Sequence, residues 1–172
     1  VNMLAAVVNY FFKYSLNAEG SIAVAFAALF VSAIASIPFF TWLSAKTSKR
    51  VAYVVGLGVL AAAEVLIFFF AHAGIGVIIG LFVLAGVGMA TVFLSPWSMI
   101  PDTVEYAQWK TGLRREGVFY GVFFFSFKLG AALAGFLTGV VLDITGYVPN
   151  VTQGPDALLG IRLLLTLVPA AL

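Results

Sequence analysis

Long apolar runs dominate the chain, and short polar or glycine-containing connections separate them. The complete runs are about 20 residues or longer, the length that an α-helix needs to cross a bilayer, whereas strands of a membrane barrel need only about ten alternating residues. We therefore predict an all-α membrane protein with six transmembrane helices in one domain, residues 1–172. The predicted spans, with the first and last truncated, cover about residues 1–16, 21–44, 51–71, 75–99, 117–142 and 157–172.

The composition supports a place in the membrane. Hydrophobic residues make up 63% of the chain and charged residues 9%, against about 25% charged residues in a typical soluble domain. This is too little charge to cover a water-exposed surface or to bind nucleic acid. Because the chain begins at Val1 and ends inside an apolar run at Leu172, we expect it to be a piece of a longer protein.

The sequence carries no motif for catalysis. It contains no cysteine, and no nucleophile elbow, metal-ligand cluster or phosphate loop accompanies its acidic residues. We therefore predict no catalytic residues and no metal site, and we do not expect an enzyme.

The basic residues of the connections predict the topology. One group follows the second span and another follows the fourth, whereas the connections at about 17–20, 71–74 and 145–156 contain no Lys or Arg. Because short loops rich in Lys and Arg stay on the cytoplasmic side, both basic connections and both ends of the six-helix unit should be cytoplasmic. The two groups are Lys46, Lys49 and Arg50, and Lys110, Arg114 and Arg115.

Lys128 carries a charge deep inside a predicted membrane-spanning helix. It lies about eleven residues into the predicted fifth span, or about 17 Å from its start. An ammonium group near the bilayer midplane costs about 3 kcal/mol on insertion scales, so Lys128 should face a watery cavity or a carboxylate. Tyr120 and Phe124 share its helical face and suit a sugar ring, although aromatic residues are also typical of membrane packing. A structural ion pair, with Glu64 as a candidate partner, is the alternative.

Other polar residues also lie within predicted spans. Lys13 and Tyr14 form part of a polar cluster near the outer end of the first span, where either function or snorkelling of Lys13 to the interface explains the charge. Glu64 fits an ion-pair partner, a neutral acid or a cavity residue. Arg162, about six residues into the last span, is expected to snorkel outward.

The segment from 101 to 117 mixes three acidic and three basic residues with aromatic ones. It fits either a solvated loop with weak surface ion pairs or a folded loop that closes a cytoplasmic gate. Asp102 and Glu105 would share a face if the preceding helix continues through them.

Several motifs at characteristic spacing carry a family resemblance. They are Met99–Tyr106, Trp109–Gly112, Arg115–Gly117, Lys128–Gly130 and Gly146–Asn150. With these motifs the chain resembles the glycoside-pentoside-hexuronide:cation symporters, the melibiose permease relatives within the major facilitator superfamily. The resemblance covers essentially the whole chain as a carboxy-terminal domain, helices seven to twelve, in which the superfamily has an inverted repeat of three plus three helices.

The resemblance implies cation-coupled uptake of a sugar or glycoside. The coupling cation, sodium, proton or lithium, would be held mainly by the missing amino-terminal half, and no other cofactor is expected. Lys128 matches the family's lysine beside the sugar and cation sites. We therefore predict that the vicinity of the substrate and cation contains Lys128, Phe124, Tyr120, Lys13 and Tyr14.

The resemblance also implies a cytoplasmic gate between the two halves. We predict that its residues are Asp102, Glu105, Lys110, Arg114 and Arg115. Two departures from the family pattern bear on this site, because Gln108 replaces the usual Glu and Ala107 the usual Gly. Phe124 also stands where melibiose permeases carry a small hydroxyl residue, so melibiose itself is not the expected substrate.

The leading hypothesis is the carboxy-terminal half of a cation-coupled sugar symporter in the inner (plasma) membrane, working by alternating access. Its expected partners are the sugar, the lipid bilayer and the missing amino-terminal half, with no nucleic acid. The alternative is a related carrier for a lysolipid-like or other non-sugar solute. An intramembrane enzyme is disfavoured, and a membrane protein used only for interactions is the third possibility.

Overall fold

The regular structure is helical throughout the part of the chain that the computed structural model describes, residues 7–16, 18–148, 151 and 153–171. The first segment, α1, comprises residues 7–10 and continues as a π-helical turn, Phe11–Ser15, before a short 3₁₀ turn, Glu19–Ser21. The remaining helices are α2 (Ile22–Lys46), α3 (Lys49–Phe69), α4 (Ile75–Thr111), α5 (Glu116–Ile144), α6 (Pro155–Leu165) and α7 (Leu167–Ala171).

Four of these helices, α2 to α5, are long and apolar enough to cross a membrane. They correspond to the second through fifth predicted spans. The first predicted span includes residues 1–6, which lie outside the described residues, and the last predicted span is divided between α6 and α7. The count of six spans and the inverted repeat therefore stay predictions.

The fourth helix is longer than the sequence predicts. The apolar run ends near residue 99, yet α4 continues for about three more turns, to Thr111. Polar residues end a membrane span but do not end a helix, because Glu, Gln, Lys and Ala are all good helix formers. The helix stops at Gly112, which adopts a left-handed φ of 71° and donates its N–H to the carbonyl of Gln108 at 2.8 Å. Such a glycine is a common helix terminator, since it takes positive φ without steric cost.

The last predicted span breaks at Thr166. Three residues later, Pro169 has no N–H to donate to the carbonyl of Leu165, and this missing bond interrupts a helix. Thr166 is buried at the break, and its hydroxyl donates to the carbonyl of Arg162 at 2.7 Å. The buried Thr166 hydroxyl thus finds a partner within the protein, as a polar group inside a membrane chain requires.

Helix α4 packs closely against both α2 and α3. A Cβ atom on Gly86 would collide with the backbone of Leu29 in α2. A Cβ atom on Gly88 would come within 2.5 Å of the Leu60 nitrogen and 2.6 Å of the Gly56 oxygen in α3. Small residues permit such approach of two helix backbones, from which membrane helices gain much of their packing energy.

Helix α5 is far less buried than α4. The main core joins α1, α4 and α6 through buried residues such as Phe12, Phe82 and Ile161, and the rings of Phe12 and Phe82 meet edge to face at 5.6 Å. In α5 only Thr138 and Leu142, both near its carboxyl end, are buried. The amino-terminal part of α5, which carries Lys128, therefore presents an open surface.

Candidate functional site

Lys128 lies on the open part of α5 and is exposed. Phe124, one turn earlier, exposes 43% of its surface, and Tyr120 is half-buried another turn earlier. Residues four apart occupy the same helical face, so the three form one stripe. Lys128 forms no salt bridge with any residue that the structure describes, and Glu64, only 2% exposed on α3, is not its partner.

Trp97 is a neighbour of this stripe that the sequence did not single out. Its ring centroid lies 5.4 Å from that of Phe123 and 5.8 Å from that of Phe124, both in edge-to-face geometry. Trp97 itself is 52% exposed. These ring contacts join α4 to the open part of α5. A tryptophan directly after Pro96 in an apolar run was the available signal, but only the fold shows which rings it meets.

Lys13 and Tyr14 belong to a second cluster. The π-helical turn orients Lys13 with its ammonium 5.4 Å from the centroid of the Tyr14 ring. The Tyr147 hydroxyl donates to the Tyr14 hydroxyl at 3.2 Å, and the Tyr10 ring lies 5.3 Å from the Tyr147 ring. Desolvation by burial, followed by the hydrogen bond with Tyr14, raises the pKa of Tyr147 above its usual value. This cluster lies at the connection after α5, whereas Lys128 lies near the middle of α5.

Asp102 has a partner that the sequence did not assign. Lys49, the first residue of α3, extends its ammonium to 2.6 Å from the Asp102 carboxylate and also donates to the Ser98 carbonyl at 2.9 Å. From the sequence, Lys49 contributed only to the prediction of which connections are cytoplasmic. The pair brings the two predicted cytoplasmic connections to the same end of the helices.

The other predicted gate residues are not gathered into one network. Arg114 pairs with Glu116, two residues along the chain, with 2.7 Å between Nε and the carboxylate oxygen. Glu105, Lys110 and Arg115 are exposed and form no salt bridge with described residues. Their role as gate residues stays a prediction.

A family comparison decides the class of protein. The family model described as MFS/sugar transport protein matches residues 1–172. The chain belongs to this family of major facilitator transporters. The family match confirms the resemblance to melibiose permease relatives, and it places the chain among major facilitator transporters and not among enzymes.

Individual relatives of the MFS/sugar transport family agree with this class. The chain is 34% identical over 169 residues to the uncharacterized symporter YjmB of Bacillus subtilis, which covers 98% of the chain. It is 42% identical over 128 residues to a putative sulfoquinovose importer of Salmonella typhimurium, covering 74% of the chain. It is 30% identical over 162 residues to the glucuronide carrier protein homolog of Escherichia coli, covering 93% of the chain. The chain spans 37%, 27% and 35% of the length of these relatives, respectively.

We expect the pair between Lys49 and Asp102 in this transporter chain to contribute modestly to stability. Their side chains are 40% and 56% exposed, and exposed ion pairs are worth about 0.2–1 kcal/mol. A double-mutant cycle with Lys49→Gln and Asp102→Asn, followed by thermal unfolding in detergent, should give a coupling energy in that range. Glu105→Gln removes the same charge one turn away and should show no coupling to Lys49→Gln. Equal coupling at both acids would mean that the observed pair has no specific role.

Proposed function

We propose that the chain is the carboxy-terminal six-helix half of a secondary transporter that moves a sugar or glycoside together with sodium or a proton. Lithium is a third candidate cation. The observation that carries this proposal is Lys128, a cation that α5 presents at the predicted middle of the bilayer without an acidic partner among the described residues.

The burial pattern of α5 supports a further protein surface opposite it. Large apolar side chains of this helix are exposed in several directions, including Phe125 at 68% and Phe127 at 59%. Lipid can cover phenylalanine rings, but it cannot solvate the ammonium of Lys128. A polar cavity between two halves of a longer transporter would account for both the exposed surface of α5 and the ammonium of Lys128, since transporter substrate sites lie near the midplane between repeats.

The missing half is also the proposed source of the cation ligands. Groups of three or more His, Asp or Glu side chains able to hold a metal ion do not occur among the residues described. The matched relatives are about three times longer than the matched segment, as the 37% coverage of YjmB illustrates. Acidic residues elsewhere in the full protein would then hold the cation near Lys128.

In this proposal Lys128 has two physical roles. Its ammonium donates hydrogen bonds to a sugar hydroxyl, and its charge favours the ionised form of nearby acids. An acid that binds a cation weakens its hold on Lys128 and frees that ammonium for the sugar. Binding of the cation and of the sugar then depend on each other, which is the free-energy coupling that symport requires.

The contacts on the predicted cytoplasmic side of Lys128 suit a closing barrier. Trp97 and Phe124 meet between α4 and α5, about one turn from Lys128 along α5. The pair of Lys49 and Asp102 lies further toward the basic connections, about five residues beyond Trp97 along α4. We propose that rocking of the two halves opens and closes this side. The protein would lie in the inner (plasma) membrane, with the basic connections and both ends of the six-helix unit in the cytoplasm.

Entrance counterflow tests the substrate class. Vesicles with the full-length transporter, preloaded with an unlabelled candidate, should transiently concentrate the labelled compound when it is a neutral glycoside, a glucuronide or sulfoquinovose. Vesicles without the transporter are the control. The comparisons do not favour the alternative of a lysolipid-like or other non-sugar solute. Lysolipid transfer without counterflow of any sugar would contradict the proposal.

A further inference from the structure

A cavity of about 290 Å³ lies at the start of α6. Its lining combines one cation, one amide and apolar residues. The lining residues are Gln153, Pro155, Leu158, Leu159 and Arg162. None of them belongs to the predicted site or gate.

Arg162 is the unexplained group in this cavity. Its Nε atom is buried and has no hydrogen-bond acceptor. Within the described residues it forms no salt bridge, and the nearest acids along the chain, Asp143 and Asp156, are both exposed and unpaired with it. A guanidinium group stays charged under all relevant conditions, so a buried donor of this kind calls for an acceptor, and the described residues supply none.

The other polar group of the cavity is already occupied. The Gln153 amide nitrogen donates to the carbonyls of Val148 at 2.6 Å and Val151 at 2.7 Å, and its oxygen accepts from the Val148 N–H at 3.2 Å. This side chain organises the connection and leaves Arg162 as the donor with free capacity. The site therefore selects for negative charge on its ligand.

The apolar wall of the cavity distinguishes one kind of anion. Leu159 is 51% exposed and Leu158 is half-buried, both beside the guanidinium. Arg162 lies seven residues after Pro155, about 10 Å along the helix from its start, so its long side chain reaches the polar boundary of a bilayer. A ligand with an anionic head and an apolar tail contacts both the guanidinium and the leucines, whereas a soluble anion has no apolar part to contact the leucines.

We propose that this cavity binds an anionic phospholipid. Arg162 donates hydrogen bonds to the phosphate oxygens, and Leu158 and Leu159 lie along the first part of an acyl chain. Soluble phosphate has the same charged group, and the experiment separates the two sources. The site is independent of the transported solute.

Native mass spectrometry of the full-length transporter in detergent tests this proposal. Phosphatidylglycerol should remain bound in preference to phosphatidylcholine, and Arg162→Gln should weaken its binding about fivefold, the effect of one basic residue on an anionic lipid. Arg162→Lys should restore most of the binding. Leu159→Glu, a change at a half-exposed wall position, should weaken binding without removing the arginine.

Two controls make the result decisive. Arg50→Gln removes one exposed charge at the amino-terminal end of α3, which does not line the cavity, and should leave phosphatidylglycerol binding unchanged. An excess of inorganic phosphate should not displace the lipid. Equal binding of the two lipids, equal losses in Arg50→Gln and Arg162→Gln, or displacement of phosphatidylglycerol by inorganic phosphate would each overturn the proposal.

Discussion

Lys128→Ala in the full-length transporter should abolish accumulation of sugar against a gradient, lowering the inside-to-outside ratio to one. The proposed mechanism requires the ammonium both to bind the sugar and to couple sugar binding to the cation. Removing it leaves a carrier that has lost coupling, and no other described cation lies on the open face of α5. Uptake of labelled sugar into energised vesicles measures this directly.

The same variant should fold normally. Lys128 is exposed and forms no salt bridge with described residues, so its replacement breaks no ion pair among them. We expect an unchanged thermal midpoint in detergent alongside the lost accumulation. Lys46→Ala removes an exposed lysine that contacts only the Trp42 ring among the described contacts, at 4.5 Å, and should keep full activity. Normal accumulation by Lys128→Ala would remove this residue from the site.

Gly88→Ala should strongly destabilise the packing of α4 on α3. The new methyl group would lie 2.5 Å from the Leu60 nitrogen and 2.6 Å from the Gly56 oxygen, and backbone atoms inside a helix cannot rotate away. The helices must separate, and overpacking of this kind costs about 1–3 kcal/mol. The thermal midpoint in detergent and the yield of folded protein should both fall.

Gly80→Ala is the matched control for this substitution. It adds the same methyl group to the same helix, at a position where no atom outside the backbone of its own helix turn lies within 4 Å of the new Cβ. Its midpoint should therefore stay near that of the unmodified protein. If both variants unfold at the same temperature, the close approach of α3 and α4 does not contribute as the structure implies.

The helices of the fold were largely predictable because hydrophobic length is a local property. A run such as 21–44 can satisfy the hydrogen bonds of its backbone in lipid only as a helix, so its extent predicts Ile22–Lys46 closely. The end of α4 was not predictable in this way. Many residues beyond Pro101 are polar, and such a mixed polar pattern looks the same in a solvated loop and in a helix that leaves the membrane. The positive φ of Gly112 settles where the helix stops.

The candidate site was predictable only where a single residue carries the signal. Lys128 stands out because a charge in an apolar run is costly wherever the run folds. The partner of Asp102 depends instead on how α3 and α4 align, and Lys49 lies more than fifty residues away in sequence. The ring contacts of Trp97 depend in the same way on how α4 and α5 align. Pairings between helices follow from packing, which apolar periodicity alone does not specify.

Active accumulation in right-side-out vesicles tests the central claim most directly. With the full-length transporter and an imposed inward gradient of sodium or protons, labelled sugar should rise above its external concentration. It should then fall back to equilibrium when an ionophore dissipates that gradient. Uptake that stops at equilibrium and does not respond to either gradient or to the ionophore would contradict cation-coupled transport.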